Sequence, residues 1–286
     1  SGIMIGGQYY YTGPCSASIT TTICVVSLAH GGFLIIGAFV FWVFTWVLGL
    51  PLWLSLILLL ACGALMGYII NRGAMQPLIG QPLMSAFLIT FGIYYILYGI
   101  FQIGCGGFSR GLSPFLPRGY FEIGAGIDIS LLRLSSFAIA MAIFAGVWAF
   151  FQYTKLGLVM RATAEEHRLA QSAGIHVKQI FSQVWIISGT VCVVAGILLA
   201  LILDVSITLG DLGIIALAVA LVGGLDSIPG ALIGGLTIGF LQNMGGGYID
   251  PIVGGGFADL TAYIALLLIL LAKPYGLFGE VRIERI

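Results

Sequence analysis

The sequence predicts an all-α fold: a polytopic transmembrane helical bundle of about eight spans, seven to ten by count, with a broken or re-entrant helix pair near 212–243. Three observations lead there. Charged residues make up 8% of the 286, against roughly 25% in an ordinary soluble protein. Mean hydropathy is +1.12. Charge-free apolar stretches recur at the length of about 20 residues that crosses a ~30 Å hydrocarbon core. So little polar surface cannot coat a soluble globule, which excludes a soluble enzyme, a nucleic-acid binder, a disordered chain and a disulfide scaffold. Formal net charge is 0, so long-range electrostatics select no partner. The five cysteines show neither CxxC pairing nor a companion histidine spacing and read as small core residues, not metal ligands. No charged n-region precedes the opening apolar stretch, so no cleaved signal peptide is expected.

The gaps between charges map the spans. No Asp, Glu, Lys or Arg occurs before Arg72. That block accommodates spans at 3–27, at 31–49 closed by Gly49 and Pro51, and at 52–70 ending at Asn71 and Arg72. Later charge-free stretches give 83–103, 134–153, 181–203 and 257–272. Residues 212–243 differ: two short apolar runs, 212–222 and 231–243, are interrupted by Gly223, Gly224, Asp226, Pro229 and Gly230. Irregular backbone at membrane depth is tolerated only where protein or a water-filled cavity surrounds it. Lys and Arg fix the orientation. Arg72, Lys155, Arg161, Arg168, Lys178, Lys273, Arg282 and Arg285 fall on one side, against Arg110, Arg118 and Arg133 on the other. The first side is therefore cytoplasmic, with the C-terminus and 154–180, while Ser1 and the loop 104–133 lie outside. The whole chain, 1–286, reads as one transmembrane domain.

The segment 154–180 carries local chemistry. Thr163 stands three residues before Glu166, the spacing of a capping box. A helix is expected over 164–173, stopped by Gly174 in the left-handed conformation, with Glu165 and Arg168 as an i,i+3 pair. About ten helical residues are marginal alone, so support must come from the membrane domain or from a separate cytoplasmic protein. A solvated loop that only anchors two spans is the other reading.

Four linked motifs resemble one family. Arg161-Ala-Thr163-Ala-Glu165-Glu166, with Ala170, Gly174 and Ile175, is similar to the Glu-Ala-Ala-type coupling loop of ABC importer permeases. The version is that of the branched-chain amino acid ABC transporter permease family, LivH-type subunit. Ser27-Leu-Ala-His30-Gly31, Gly223-Gly-Leu-Asp-Ser227-Ile-Pro-Gly230-Ala and Pro274-Tyr-Gly-Leu-Phe-Gly279 with Glu284-Arg285-Ile286 resemble the same family, in its order over nearly the whole chain. The resemblance implies a multi-pass permease of the bacterial inner membrane, translocating branched-chain or related amino acids by alternating access. It implies a second, LivM-like permease subunit, two cytoplasmic ATPase subunits that dock on Arg161, Thr163, Glu165, Glu166, Ala170 and Gly174, and an external substrate-binding protein. ATP and Mg would sit on the ATPase partners, with no cofactor on this chain: Lys155, Lys178 and Lys273 each lack the preceding glycine of a phosphate loop. A urea or short-chain amide importer of the same family fits equally well. From another class, an uncoupled channel or secondary transporter would need inverted repeats and paired intramembrane carboxylates, and the sequence offers only a weak echo of Gly31–Gly37 in Gly230–Leu236.

Candidate residues for the substrate path are His30, Gly31, Gly32, Gly223, Gly224, Asp226, Ser227 and Pro229. His30 is the sole titratable side chain before Arg72 outside the tyrosines and cysteines, expected at the cytoplasmic junction of the first two spans. It either lines the path or pins two helix ends by hydrogen bonds. Asp226 or Ser227 can cap the helix that follows the break, with Pro229 early in it, leaving an amide-rich end for a carboxylate. Asp204, Asp211, Asp250 and Asp259 fall at span ends and read as structural. Trp42, Trp46, Trp53, Trp148 and Trp185 read as an interfacial belt. An intramembrane protease is excluded, because the histidine and serine segments stand in reversed order and Cys62 replaces the serine. Residues 9–25 are more polar than the family's first helix, with Pro14 inside. Gly32 and Ser27 stand where the family often has an acid and an asparagine.

Overall fold

The computed structural model describes residues 27–78, 81, 83–112, 115–117, 119–122, 128–165, 167–224, 227–273 and 276–279. The span expected at 3–27 lies outside them, apart from Ser27. Helix α1 (Ala29–Trp42) continues as a π-turn through Val47. An extended Pro51 ends the connection, and its carbonyl accepts the first amides of α2 (Leu52–Ile70), which runs on through Leu78. Helix α3 (Leu83–Cys105) leads into the loop and α4 (Leu131–Tyr153) leaves it. Two short helices, α5 (Lys155–Glu165) and α6 (His167–Ser172), precede α7 (Val177–Leu203). Then come α8 (Thr208–Gly223), α9 (Ile228–Met244), a single turn α10 (Asp250–Val253) and α11 (Phe257–Ala272).

The described residues hold five helices long and apolar enough to cross a membrane, a bent pair and one shorter apolar helix, α11. The pair is α8 and α9, which turn by 118° at the break. Charge gaps locate these elements to within a few residues because a charge is too costly to leave inside hydrocarbon. The fold is helical, with one small addition that the apolar pattern does not carry. Tyr120–Glu122 (β1) pairs antiparallel with Asp128–Ser130 (β2) inside the loop 104–133. The end of the bundle bearing this hairpin is called apical below, and the end bearing α5 and α6 basal.

Helix α7 is the axis of the bundle. It and α1 are buried over more than half their lengths, whereas α2, α3 and α4 are buried over less than a quarter. Lipid tails are as apolar as leucine, so helices in a membrane associate through close packing of small residues. On α2, Gly63 and Gly67 lie against α7 at Gly189 and at the Trp185 backbone; on α1, Gly37 lies against Val193 and Leu34 against Gly196. A side chain at any of these positions would push backbones apart. One tryptophan departs from the expected belt. Trp46 and Trp53 are 61% and 64% exposed, but Trp185 is 1% exposed: it points from the axial helix into the core, where hydropathy cannot tell a lipid-facing ring from an enclosed one.

Helix α1 begins at a depth the sequence does not predict. Gly32 packs on Leu97 and Phe39 on Gly104, so α1 runs parallel to α3 and starts level with Tyr94, at the middle of α3. His30 meets Ser188, near the middle of α7. The junction expected at the cytoplasmic ends of the first two spans therefore sits about 15 Å inside the bundle, because α3 and α7 each begin some eleven residues nearer the basal end. Replacing Gly189 by leucine should destabilise the purified chain by about 2 kcal/mol or more through overpacking, read as a lower thermal midpoint in detergent. Gly99→Ala, where nothing lies within 4 Å of an added methyl, should leave that midpoint in place.

Candidate functional site

Helix α1 opens without a side-chain cap at Leu28 and without an acidic residue in its first turn. His30, in that turn, is 4% exposed. Its Nδ1–H donates to the Ser27 carbonyl at 3.0 Å, which leaves Nε2 to accept from the Ser188 hydroxyl at 2.7 Å. The Trp185 ring stacks on the imidazole, centroids 5.9 Å apart and planes 12° apart, and Phe33 tilts against it at 6.2 Å. His30 thus joins α1 to α7 through a buried hydrogen bond and a stack. The contact joins the start of α1 to the middle of α7, not the ends of the first two spans.

Gly31 and Gly32 bring two more helices to this level. A methyl at Gly31 would come within 2.8 Å of the Gly210 carbonyl and 3.1 Å of the Tyr94 ring, and Gly213 lies directly against Gly31. Helix α8 therefore crosses α1 backbone to backbone at mid-depth. Asp211 sits between these two glycines, in the first turn of α8, where the helix dipole favours a carboxylate. The sequence places it at a span end, but α8 starts inside the bundle, so Asp211 lies at membrane depth. Asp259 occupies the first turn of α11. The legible signal was there: Asp211 is followed by an apolar run too short to span from an interface.

The second group of candidates stands apart from the first. Ten residues of α8, about 15 Å, separate Gly213 from Gly223. There the break packs tightly, Gly223 against Gly230 and Ala231, with Gly224 at φ 102°. Ser227 caps α9 by accepting the Gly230 amide at 3.0 Å, with Pro229 in the first turn. The chain beyond α11 covers this tip: Leu277 N–H donates to the Val222 carbonyl at 2.8 Å and Phe278 N–H to the Gly223 carbonyl at 3.2 Å. The Ser227 cap and the early Pro229 are as the sequence expects, and the tail closes the last carbonyls of α8 beside them. Asp226 lies outside the described residues.

The basal segment is helical earlier than the capping box predicts. Thr163 is not a cap; it lies inside α5, 2% exposed, and its hydroxyl donates to the Val159 carbonyl at 2.8 Å. The cap is Thr154, whose hydroxyl accepts the Gly157 amide at 3.0 Å. Thr154 stands three residues before a glycine, so no reciprocal glutamate marked it. The stop is where the sequence puts it. Gly174 has φ 82°, its amide donates to the Gln171 carbonyl and the Ile175 amide to the Ala170 carbonyl, the paired bonds of a Schellman motif. Ala170 and Met160 are buried, 5% and 1% exposed, and Met160 belongs to the core that includes Trp185. Arg161 remains exposed and donates to the Gln152 amide oxygen at 3.2 Å. Glu166, and the side chains of Glu165 and Arg168, lie outside the described residues. Among the described residues no three His, Cys, Asp or Glu side chains converge where a metal could bind.

A family described as "Branched-chain amino acid transport system / permease component" matches residues 7–272. The chain is 34% identical to the "Probable branched-chain amino acid transport permease protein LivH" of Methanocaldococcus jannaschii, over 91% of this chain and 84% of that one. It is 27% identical to the "High-affinity branched-chain amino acid transport system permease protein BraD" of Pseudomonas aeruginosa, over 100% and 96%. A more distant similarity, 25% identity over 83% and 72%, is to the "Fructose import permease protein FrcC" of Rhizobium meliloti. Gly174→Val, which forces a branched residue into the left-handed conformation at about 1–2 kcal/mol, should loosen α6. Amide exchange across 167–176 should quicken severalfold while α7 stays protected.

Proposed function

Because the chain belongs to the branched-chain amino acid transport permease family, we propose that it is the membrane-spanning permease subunit of an ABC importer in the bacterial inner membrane. Its cargo is branched-chain or related amino acids, and its C-terminus and basal end are cytoplasmic. The observation that carries this reading is the family match over 7–272. ATP is bound and hydrolysed with Mg by two separate cytoplasmic ATPase subunits, a second permease subunit completes the path, and an external binding protein delivers the cargo. The single permease domain extends over the chain, with 154–180 as its coupling segment and 104–133 as its outer loop.

The geometry offers a route for coupling. Helices α5 and α6 are too short to be stable alone; they gain support through Met160 and Ile175 on the core beside α7. Arg161, Glu165, Glu166 and Gly174 then form the docking region for an ATPase. A force on this region passes to α7, and α7 holds His30 of α1 through Ser188 and Trp185. Helices α1 and α8 touch through glycines, so a shift of α7 changes the gap between α1 and α8 at mid-depth. Alternating access follows if ATP binding and hydrolysis switch α7 between two positions. His30, Gly31 and Gly32 line the path at mid-depth, while Gly223, Gly224, Ser227 and Pro229 form its basal rim.

The assembled complex in proteoliposomes, with binding protein outside and ATP within, should accumulate radiolabelled leucine. Glu166→Lys should abolish leucine-stimulated ATP hydrolysis, by about a hundredfold or to background, without changing the thermal midpoint of the permease. Leucine uptake by this chain alone, without ATP, would sink the importer reading.

A further inference from the structure

At mid-depth the cluster around His30 leaves two hydrogen-bond donors unused. Among the described residues the Ser27 hydroxyl and the Trp185 indole N–H are buried without a partner, on residues 7% and 1% exposed. Both belong to residues that grip His30. Ser27 offers its carbonyl to Nδ1, and Trp185 stacks on the ring. They flank the start of α1, whose N-terminus has no side-chain cap and no acid in its first turn. A helix N-terminus carries a partial positive charge and free amides, and burying a donor without a partner is costly. Three features of one sign therefore meet in the middle of the membrane: an O–H, an N–H and an open helix start. What they lack in common is an acceptor, and a negatively charged one suits all three.

The geometry points to the start of α1, with Ser27 and Trp185, as the subsite that holds the carboxylate of the transported amino acid in the occluded state. This rests on the reading of the chain as an amino-acid permease. One carboxylate oxygen accepts from the Ser27 hydroxyl and the other from the Trp185 indole, against the first amides of α1. Ser188 and the Ser27 carbonyl hold the imidazole in its place beside them. Ser27 and Trp185 are both buried, so a ligand reaches the subsite when α1 and α7 part, as alternating access requires.

The test uses the permease–ATPase complex in nanodiscs without binding protein, with saturation-transfer NMR on three probes: leucine, 4-methylpentanoate, which keeps the carboxylate and lacks the ammonium, and isoamylamine, which keeps the ammonium and lacks the carboxylate. Wild type should transfer saturation to the first two and not to the third. Trp185→Phe, which keeps the stack and removes the N–H, and Ser27→Ala should each weaken leucine and 4-methylpentanoate binding about tenfold and slow leucine uptake. Isoamylamine binding as well as 4-methylpentanoate, or either variant binding leucine like wild type, overturns the subsite. Should the wild-type complex fail to import leucine at all, it is the permease reading that falls instead.

Discussion

Everything in this fold depends on how closely backbones can approach α7. In lipid, an apolar side chain gains nothing by leaving the hydrocarbon for a neighbouring helix, so attraction must come from surface fit. Gly63, Gly67 and Gly189 remove the side chains between α2 and α7, and Gly37 and Gly196 do the same between α1 and α7. That closeness sets the reach of His30 to Ser188 and the stack on Trp185. It also sets the depth at which α8 meets α1, through Gly31 and Gly213. A chain with 42 glycines among 286 residues is spending conformational entropy to obtain contacts that leucines could not supply.

Much of the fold was legible because one cost dominates inside a membrane. Charges are excluded, so the gaps between Arg72, Arg110, Arg133, Lys155, Lys178 and Asp204 outline α3, α4 and α7, while Pro51 and Arg72 bound α2. The break at Gly223 and Gly224, the Ser227 cap and the stop at Gly174 were legible because each needs a specific residue type. Depth was not legible. Hydropathy is blind to where along its neighbours a helix starts, so the mid-membrane opening of α1 and the buried placement of Asp211 emerge only from the packing. Trp185 was misplaced for the same reason, since an apolar ring suits lipid and core alike. Thr163 was taken for a cap because Glu166 stood at the matching offset, while Thr154, closing against a glycine amide, left no paired residue to find.

The basal segment joins two kinds of stability. Helices α5 and α6 are individually short, yet Thr154 fixes where the first begins and the Schellman turn at Gly174 fixes where the second ends. Between those fixed points, buried Met160, Thr163 and Ala170 seat the segment on the membrane helices. The result is a rigid appendage, not a tether. In the proposed importer a rigid connection would let a small displacement at Arg161 be felt at Ser188, because packed cores switch between discrete arrangements instead of deforming continuously.

The tail that seals the α8–α9 turn bears on how the protein is made. Helix α8 has 16 residues, about 24 Å of rise, and α11 is equally short; neither fills the bilayer as an independent insertion signal. During synthesis α8 leaves its last carbonyls at Val222 and Gly223 open, and the amides that close them belong to Leu277 and Phe278, more than fifty residues later. The re-entrant pair is therefore completed last, after α11 has entered the membrane. A chain cut before Leu277 would leave the Val222 and Gly223 carbonyls at the basal tip of α8 without the amides that close them.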